Sequence, residues 1–433
     1  MKAQGVAVGI DFGTTNSSVG LADGGPDVRL VQFQHAGGST EAYRSLLYLE
    51  QLKERGRITL KSWTGPQGIE QYLAAETKGR LIQSLKSYLT SRTLTKTDVF
   101  GRRLTVEELI ARILGDLREQ AERYFGAPVR HAVSGRPVRF VGAETEADND
   151  HAVSRLRAAY QIAGYESVEF EMEPVAAAYY YESTLDHDEL ILIGDFGGGT
   201  SDFSLLRVGP GVRRRGRSPR DFLGNSGVGI AGDAFDARIV RNLVSPELGA
   251  GSQARSMNKI LPAVPNWVYA KLERWHHLSF LRTQKVLNML RSSRAEAFEP
   301  EKIDALIHLI QEDLGYHLHA AVQRVKCRLS EADQAEFQFT DGGLEIRAAV
   351  NRREFESWVH EELEAIDRCV GSLLDTSGVA PGDVDVVFLT GGSSFVPAVR
   401  AIFERRFARR VRTGTEFTSV ARGLALSASG GRR

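Results

Sequence analysis

Val8-Gly-Ile-Asp-Phe-Gly-Thr-Thr-Asn-Ser-Ser18 and Ile193-Gly-Asp-Phe-Gly-Gly-Gly-Thr-Ser-Asp-Phe203 are the two stretches whose reading decides the fold. Each is a short apolar run that ends in an aspartate, turns tightly through Gly and Thr, and returns into another apolar run. A strand, turn and strand of that form aims several backbone N–H groups and hydroxyls at one spot beside a carboxylate. Such a spot suits a phosphate chain carrying a divalent cation. The Asp-Phe-Gly triplet at 11–13 returns at 195–197, an offset of 184 residues. The repeat predicts two related lobes facing one nucleotide; a single Gly-rich turn would carry far less weight.

Outward from the first turn, residues 6–33 read as a three-stranded meander over Val6–Asp11, Ser17–Leu21 and Val28–Phe33. Residues 69–90 are expected to be helical, with Leu81, Ile82, Leu85 and Leu89 on one stripe. A second helix is predicted over Val106 to Tyr124, burying Leu109, Ile113, Leu114 and Leu117. A short strand Arg130–Ser134, a helix from about Asp150 to Ala163 and a strand Val168–Glu171 follow, before a helix opened by Pro174. The pattern then restarts with strands at Leu190–Asp195, Asp202–Val208 and near Arg220–Asn225. Residues 233–330 read as almost wholly helical, followed by a hairpin around Asp341-Gly-Gly343 and a long helix from Arg353 to Leu374. A buried strand Val384–Thr390, a helix opened by Pro397 and a last helix from about Thr418 to Ala428 close the chain. Alternating strands and helices in two similar blocks indicate an α/β protein of two lobes. Lobe I is expected over 1–186, closed by a helix within 414–433. Lobe II covers 187–413, with a helix-rich insertion at about 227–353.

The 433 residues exceed one hydrophobic core and suit two. A formal net charge of zero gives no global pull toward nucleic acid or an acidic membrane. Cys327 and Cys369 are the only cysteines, so no disulfide or metal framework is implied. Met1 to Gly5 run straight into the first strand, leaving no room for a signal peptide, and no apolar run reaches the length of a membrane span. A cytoplasmic, reduced protein is the expectation. Arg213-Arg-Arg-Gly-Arg-Ser-Pro-Arg220 is read as an exposed hairpin tip rather than an anion patch, and Trp267 and Trp275 as aromatic core of the insertion.

Five ordered motifs then give a resemblance. They are Ile10-Asp-Phe-Gly-Thr-Thr-Asn-Ser17, Glu173-Pro-Val-Ala-Ala-Ala178, Asp195-Phe-Gly-Gly-Gly-Thr200, Gly232-Asp-Ala-Phe-Asp236 and Leu389-Thr-Gly-Gly-Ser-Ser-Phe-Val-Pro397. Together they resemble the nucleotide-binding domain of the Hsp70 chaperones, in the actin/Hsp70/sugar-kinase superfamily. The nearest likeness is to the short, YegD-type Hsp70-like proteins. The resemblance implies an actin-like ATPase fold of two duplicated, ribonuclease H-like lobes. It further implies ATP or ADP with Mg²⁺ in the cleft and slow ATP hydrolysis. It assigns Gly13, Thr14, Thr15 and Asn16 to the first phosphate turn and Gly197, Gly198, Gly199 and Thr200 to the second. Asp11 and Asp195 would hold the water shell of Mg²⁺, Lys86 would touch the γ-phosphate, and Glu173 and Asp202 would orient the attacking water or the magnesium shell.

On the adenosine side the resemblance points to Gly232, Asp233, Gln323, Lys326, Ser330, Gly391, Gly392, Ser393 and Phe395. Gln323 stands where the family has a ribose-binding Glu, Cys327 where Arg is common, and Phe395 where an Arg stacks on adenine. Only ten residues follow Gly423, so the peptide-binding domain of full-length Hsp70s is expected to be absent. Clients or co-chaperones would then bind the lobes themselves, the insertion above all. Neither nucleic acid nor membrane is an expected partner, and a monomer is favoured. The competing readings are a small-molecule, sugar-type kinase of the same superfamily and a nucleotide-switched scaffold or filament protein.

Overall fold

The computed structural model describes residues 6–25, 27–35, 37–54, 57–75, 79–256, 259–274, 277–413 and 418–430. They fall into two compact units. One comprises Met1–Ala231, Ala365–Phe395 and Val399–Arg433; the other comprises Gly232–Glu364 and Val396–Ala398.

Two large sheets organise the first unit. One is built from β1 (Val6–Phe12), β2 (Asn16–Ala22), β3 (Val28–Leu30), β4 (Val129–Arg136) and β5 (Ser167–Met172), in the spatial order β5-β4-β1-β2-β3. The other is built from β6 (Glu189–Phe196), β7 (Ser201–Val208), β8 (Phe222–Val228), β9 (Val386–Thr390) and β10 (Val411–Thr413), in the order β8-β7-β6-β9-β10. Read from its opposite edge, the second order repeats the first position by position. In each, the lead strand starts an antiparallel meander on one side and on the other pairs with a parallel strand, to which a further parallel strand is added. The duplication read from two short motifs is therefore present in the topology.

Register carries the repeat down to single residues. Asp11 lies opposite Ser18 and Phe12 opposite Ser17. In the second hairpin Asp195 lies opposite Asp202 and Phe196 opposite Ser201. Leu190, Ile191, Leu192 and Ile193 are all buried, as a strand covered on both faces requires.

Helices cover the sheets. α1 (Val106–Phe125) starts with a reciprocal cap between Thr105 and Glu108 and stops at Gly126, whose φ of 70° suits glycine. Its buried face includes Leu109, Ile113, Leu114 and Leu117, the expected stripe. α2 (Glu146–Ile162) follows, and α3 (Glu173–Glu182) carries Pro in its first turn. The helix Ser419–Gly430 lies on β1 and β2 and crosses α3, which itself lies on β6 and β7. The approach is close: a Cβ on Gly423 would stand 1.6 Å from the Ala176 carbonyl oxygen, and one on Gly9 2.1 Å from the Ala425 nitrogen.

Several expectations need correction. Residues 69–90 are not one helix. They comprise the end of a helix Gly65–Ala74, a strand Arg80–Gln83 and a single 3-10 turn Leu85–Tyr88. Pairing of Arg80–Gln83 with the neighbouring strand Leu46–Glu54 overrides the helical spacing of the leucines. The span 233–330 contains a hairpin, Gln253–Ser256 with Lys259–Pro262. The long helix breaks at Val359 into Arg352–Trp358 and His360–Ser377. Trp267 is exposed rather than core, and Trp275 lies outside the described residues. The Arg-rich stretch is no bare hairpin tip: Pro210–Arg215 is a short helix, Arg215 pairs with Asp221, and Arg217 reaches buried Glu182 at 2.7 Å. Among the described residues no helix is long and apolar enough to cross a membrane.

Candidate functional site

The two hairpin turns of the first unit approach each other. A Cβ placed on Gly199 would lie 3.6 Å from the Thr14 hydroxyl and 3.7 Å from the Ser87 hydroxyl. Around this point stand the carboxylates expected from sequence. Glu173, at the start of α3, receives the Lys86 ammonium at 2.5 Å, with both side chains buried. A glycine at 135 leaves room for the acid, since a Cβ there would sit 3.0 Å from Glu173 Cγ. Lys86 itself sits on the 3-10 turn Leu85–Tyr88, entered through Ser84 in the left-handed region.

Asp202 is buried on β7, and its Oδ1 accepts from the Val138 N–H at 2.8 Å and the Arg139 N–H at 3.2 Å. Burial first, and the charge of Glu173 second, push its carboxyl up to about 7, against the partial relief of hydrogen bonds from Thr200 and the two amides. Asp11 rises for the same two reasons, with Lys86 opposing. Asp195 is raised well above the ordinary range by burial and by Glu173, Asp11 and Asp202. Four acids gather around one lysine, and the surplus negative charge holds protons on the site.

Two observations test whether phosphate and a cation suit this place. The Thr15 hydroxyl is buried and has no hydrogen-bond partner, although a hydroxyl in that position ordinarily finds one. In the second turn neither Gly197 nor Gly199 has a positive φ. A Cβ on Gly197 would meet nothing closer than 3.5 Å, and one on Gly199 only a Val141 methyl at 3.0 Å. Neither backbone conformation nor backbone crowding requires glycine at these two positions, which leaves their main chain open to close approach by a ligand. Surplus carboxylate charge, an orphaned hydroxyl and a bare turn together fit an anion bearing a divalent cation. Among the described residues no three acidic, His or Cys side chains converge on a direct metal site.

The adenosine-side residues are placed as follows. In the first unit, Gly391 has a φ of 86°, and its Cβ would collide with the Phe196 carbonyl oxygen at 2.2 Å, so this glycine is needed by the fold itself. Gly392 and Ser393 continue into a 3-10 turn that ends at Phe395, an exposed ring. In the second unit, Gly232 and Asp233 open the helix Gly232–Ile239, and Gln323, Lys326 and Ser330 lie along the helix Gly315–Glu331. There Lys326 is ion-paired with buried Asp236 at 2.6 Å and donates to the Gly232 carbonyl at 3.2 Å, while Ser330 donates to the Lys326 carbonyl.

Sequence reasoning missed two arginines. Arg155 of α2 is buried, pairs with Glu107 and donates to the carbonyls of Tyr88, Leu89 and Ser91, fixing the segment that carries Lys86. Its only sequence signal was an arginine on the apolar side of a helix. Arg44 donates to the Asn16 side chain at 3.3 Å from a two-residue strand beside the first turn, and nothing local marked it.

Comparison with known proteins agrees with this geometry. The Hsp70 protein family model matches residues 60–253 and 295–429. The chaperone protein DnaK of Thermosipho africanus is 26% identical over 424 residues, which is 98% of this chain and 58% of that protein. The chain thus spans under two thirds of that relative's length. Its α/β fold is that of the actin-like ATPases, and the chain belongs to the Hsp70 family.

Proposed function

We propose that the protein binds ATP or ADP with Mg²⁺ at the two hairpin turns and hydrolyses ATP slowly. The observation that carries this reading is the pairing of the orphaned Thr15 hydroxyl and the bare Gly197–Gly199 turn with four acids around Lys86. Bound Mg²⁺ would neutralise phosphate charge and hold the transferring group in line. Thr14, Thr15 and the backbone of both turns bind phosphate oxygens, and Gly13 shapes the first turn. Asp11 and Asp195 would order the water around the cation, in the ionised form that its charge favours. Asp202, with its carboxyl near neutrality, can take a proton from an attacking water. Glu173 positions Lys86 and that water. Turnover is expected to be slow because the one lysine at the centre is already ion-paired with Glu173 and neutralises little phosphate charge.

Gly391, Gly392, Ser393 and Phe395 in one unit, and Gly232, Asp233, Gln323, Lys326 and Ser330 in the other, are the residues that this reading assigns to adenosine, Phe395 as the ring for the purine. The lobes 1–186 and 187–413 are its functional halves. The biological role is chaperone-related, with client or co-chaperone proteins as partners of a monomer in the cytoplasm. Two free thiols, Cys327 and Cys369, suit that reducing compartment. Calorimetry with ATP in Mg²⁺ and in EDTA, followed by phosphate release without any added acceptor, tests the proposal. Mg²⁺-dependent binding with slow acceptor-free release is expected. No heat in Mg²⁺ buffer overturns it, and release that requires a sugar turns it into a kinase.

A further inference from the structure

Residues 254–294 fall between the two stretches that the Hsp70 family model matches. They hold eight Lys and Arg against one acid, Glu273, so a chain of zero net charge concentrates seven positive charges in 41 residues. Arg282 and Arg294 have acidic neighbours in Asp313 and Asp304. Beside Arg255, Lys259 and Lys285 no acidic partner stands among the described residues. Apolar side chains are exposed within the same surface: Ile260 is 56% exposed, Leu261 50% and Phe298 52%.

The hairpin in this surface has one covered edge and one open edge. Gln253–Ser256 is flanked on its outer side by Ala297, bridged to Ala254, and by Phe298, whose N–H donates to Gln253. No strand flanks Lys259–Pro262 among the described residues, and all four of its residues are exposed. The Ala263 N–H donates to the Ser252 carbonyl, so the bonded pairs of the ladder fall at 252/263 and 254/261. Ile260, opposite Arg255, lies between bonded pairs and turns its N–H and carbonyl to the open side. Arg255 lies over the Phe298 ring at 5.9 Å, which keeps a guanidinium beside the apolar face.

We propose that the edge strand Lys259–Pro262 docks an extended acidic protein segment with apolar side chains at alternate positions. Main-chain bonds to Ile260 extend the hairpin by a strand, its apolar side chains cover Ile260 and Phe298, and its carboxylates meet Arg255 and Lys259. An open strand edge matches a peptide backbone in register, which lipid headgroups and nucleic-acid phosphates do not. The inference does not depend on the nucleotide reading.

The test uses the full chain and a labelled synthetic peptide alternating Glu with Val, followed by fluorescence anisotropy. Saturable binding that weakens with salt is expected. The double variant R255E/K259E should lose about tenfold or more in affinity. Ile260→Pro should lose about as much, because it removes the outward N–H and leaves the hairpin's own bonds in place. Both changes sit at exposed positions, and unchanged melting curves keep the comparison clean. Equal binding by wild type and variants overturns the proposal. So does absence of peptide binding where anionic vesicles, single-stranded RNA or a second copy of the chain bind in a salt-sensitive way.

Discussion

The two hairpins that present Asp11 and Asp195 share strand order and register, yet their turns are built on opposite principles. In the first, Gly13 is demanded by the chain: a Cβ there would stand 2.2 Å from the Asn16 carbonyl oxygen. The residues that follow are hydroxyl-rich, and Ser18 faces Asp11. In the second, the glycines leave open room, and the residue facing Asp195 is a second buried acid, Asp202. A repeat that keeps its ladder can thus divide its chemistry. One hairpin offers donors and little charge, while the other offers bare backbone and a concentration of carboxylate. Under the proposed function the first half grips the anion, and the second half manages the cation and the water.

That division breaks most visibly at the two aspartates. Asp195→Asn and Asp11→Asn should each lower ATP turnover by about a hundredfold or more, as loss of a fixed charge at a reacting centre does. Single-turnover hydrolysis measures this, and thermal melts of the nucleotide-free protein serve as control. Asp195 faces the buried acid Asp202 across its ladder, whereas Asp11 faces Ser18, so Asp195→Asn should also relieve more repulsion and melt higher. A deep loss from one variant only would show that the halves do not share the metal shell.

Between the hairpins, Lys86 and Glu173 form a buried pair that belongs to neither. Glu173→Ala would take the hydrogen-bonded partner from the buried ammonium, a loss that Asp11 and Asp195 offset only in part, at a cost of about 3 kcal/mol in urea unfolding. The double change K86M/E173L should recover most of that stability while remaining inactive. Failure to recover would mean that Glu173 supports α3 rather than Lys86.

Glycine replacement sharpens the contrast between the turns themselves. Gly13→Ala forces a backbone shift and should cost about 2 kcal/mol of stability. Gly199→Ala needs only a small movement of Val141, so the protein should fold within about 0.5 kcal/mol of wild type. Its loss should appear instead as weaker nucleotide binding by calorimetry. Equal destabilisation by both would erase the distinction.

What could be read from the sequence follows from where information is local. The lead strands, their turns and the stripe of α1 each carry their signal within a dozen residues, and all appear near the expected boundaries. The stretch 69–90 does not. Its leucines suit helical spacing, but Arg80–Gln83 becomes a strand because Leu46–Glu54 is there to pair with it. The environment of Lys86 was hidden for the same reason, since Glu173 reaches it across 87 positions of chain. Neither Arg155 nor Arg217 shows in the sequence which partners it satisfies, the carbonyls for the one and the buried Glu182 for the other. Trp267 shows the reverse error, an aromatic residue assigned to the core by type and found exposed.

The smallest expected effect comes from making the second hairpin neutral at Asp202, as the first already is at Ser18. The Asp202 carboxyl stands at about 7 in the folded protein against an ordinary 3.8. Between those values the native state binds a proton that the unfolded chain has released. Stability from this residue is therefore complete below the unfolded value and is lost as pH rises toward and past 7. Asparagine keeps an Oδ1 acceptor for the Val138 and Arg139 amides and cannot ionise. Asp202→Asn should thus be more stable than wild type at pH 8 by at least about 1 kcal/mol, and the gain should vanish near pH 4. Urea midpoints at the two pH values decide it. A gain that persists at pH 4 would mean better packing rather than relief of charge. A loss at both would mean that the carboxylate's hydrogen bonds outweigh its repulsion from Glu173. Turnover should fall in the same variant, so a more stable but slower protein would show that the acidic half of the repeat is kept for its chemistry at a cost to the fold.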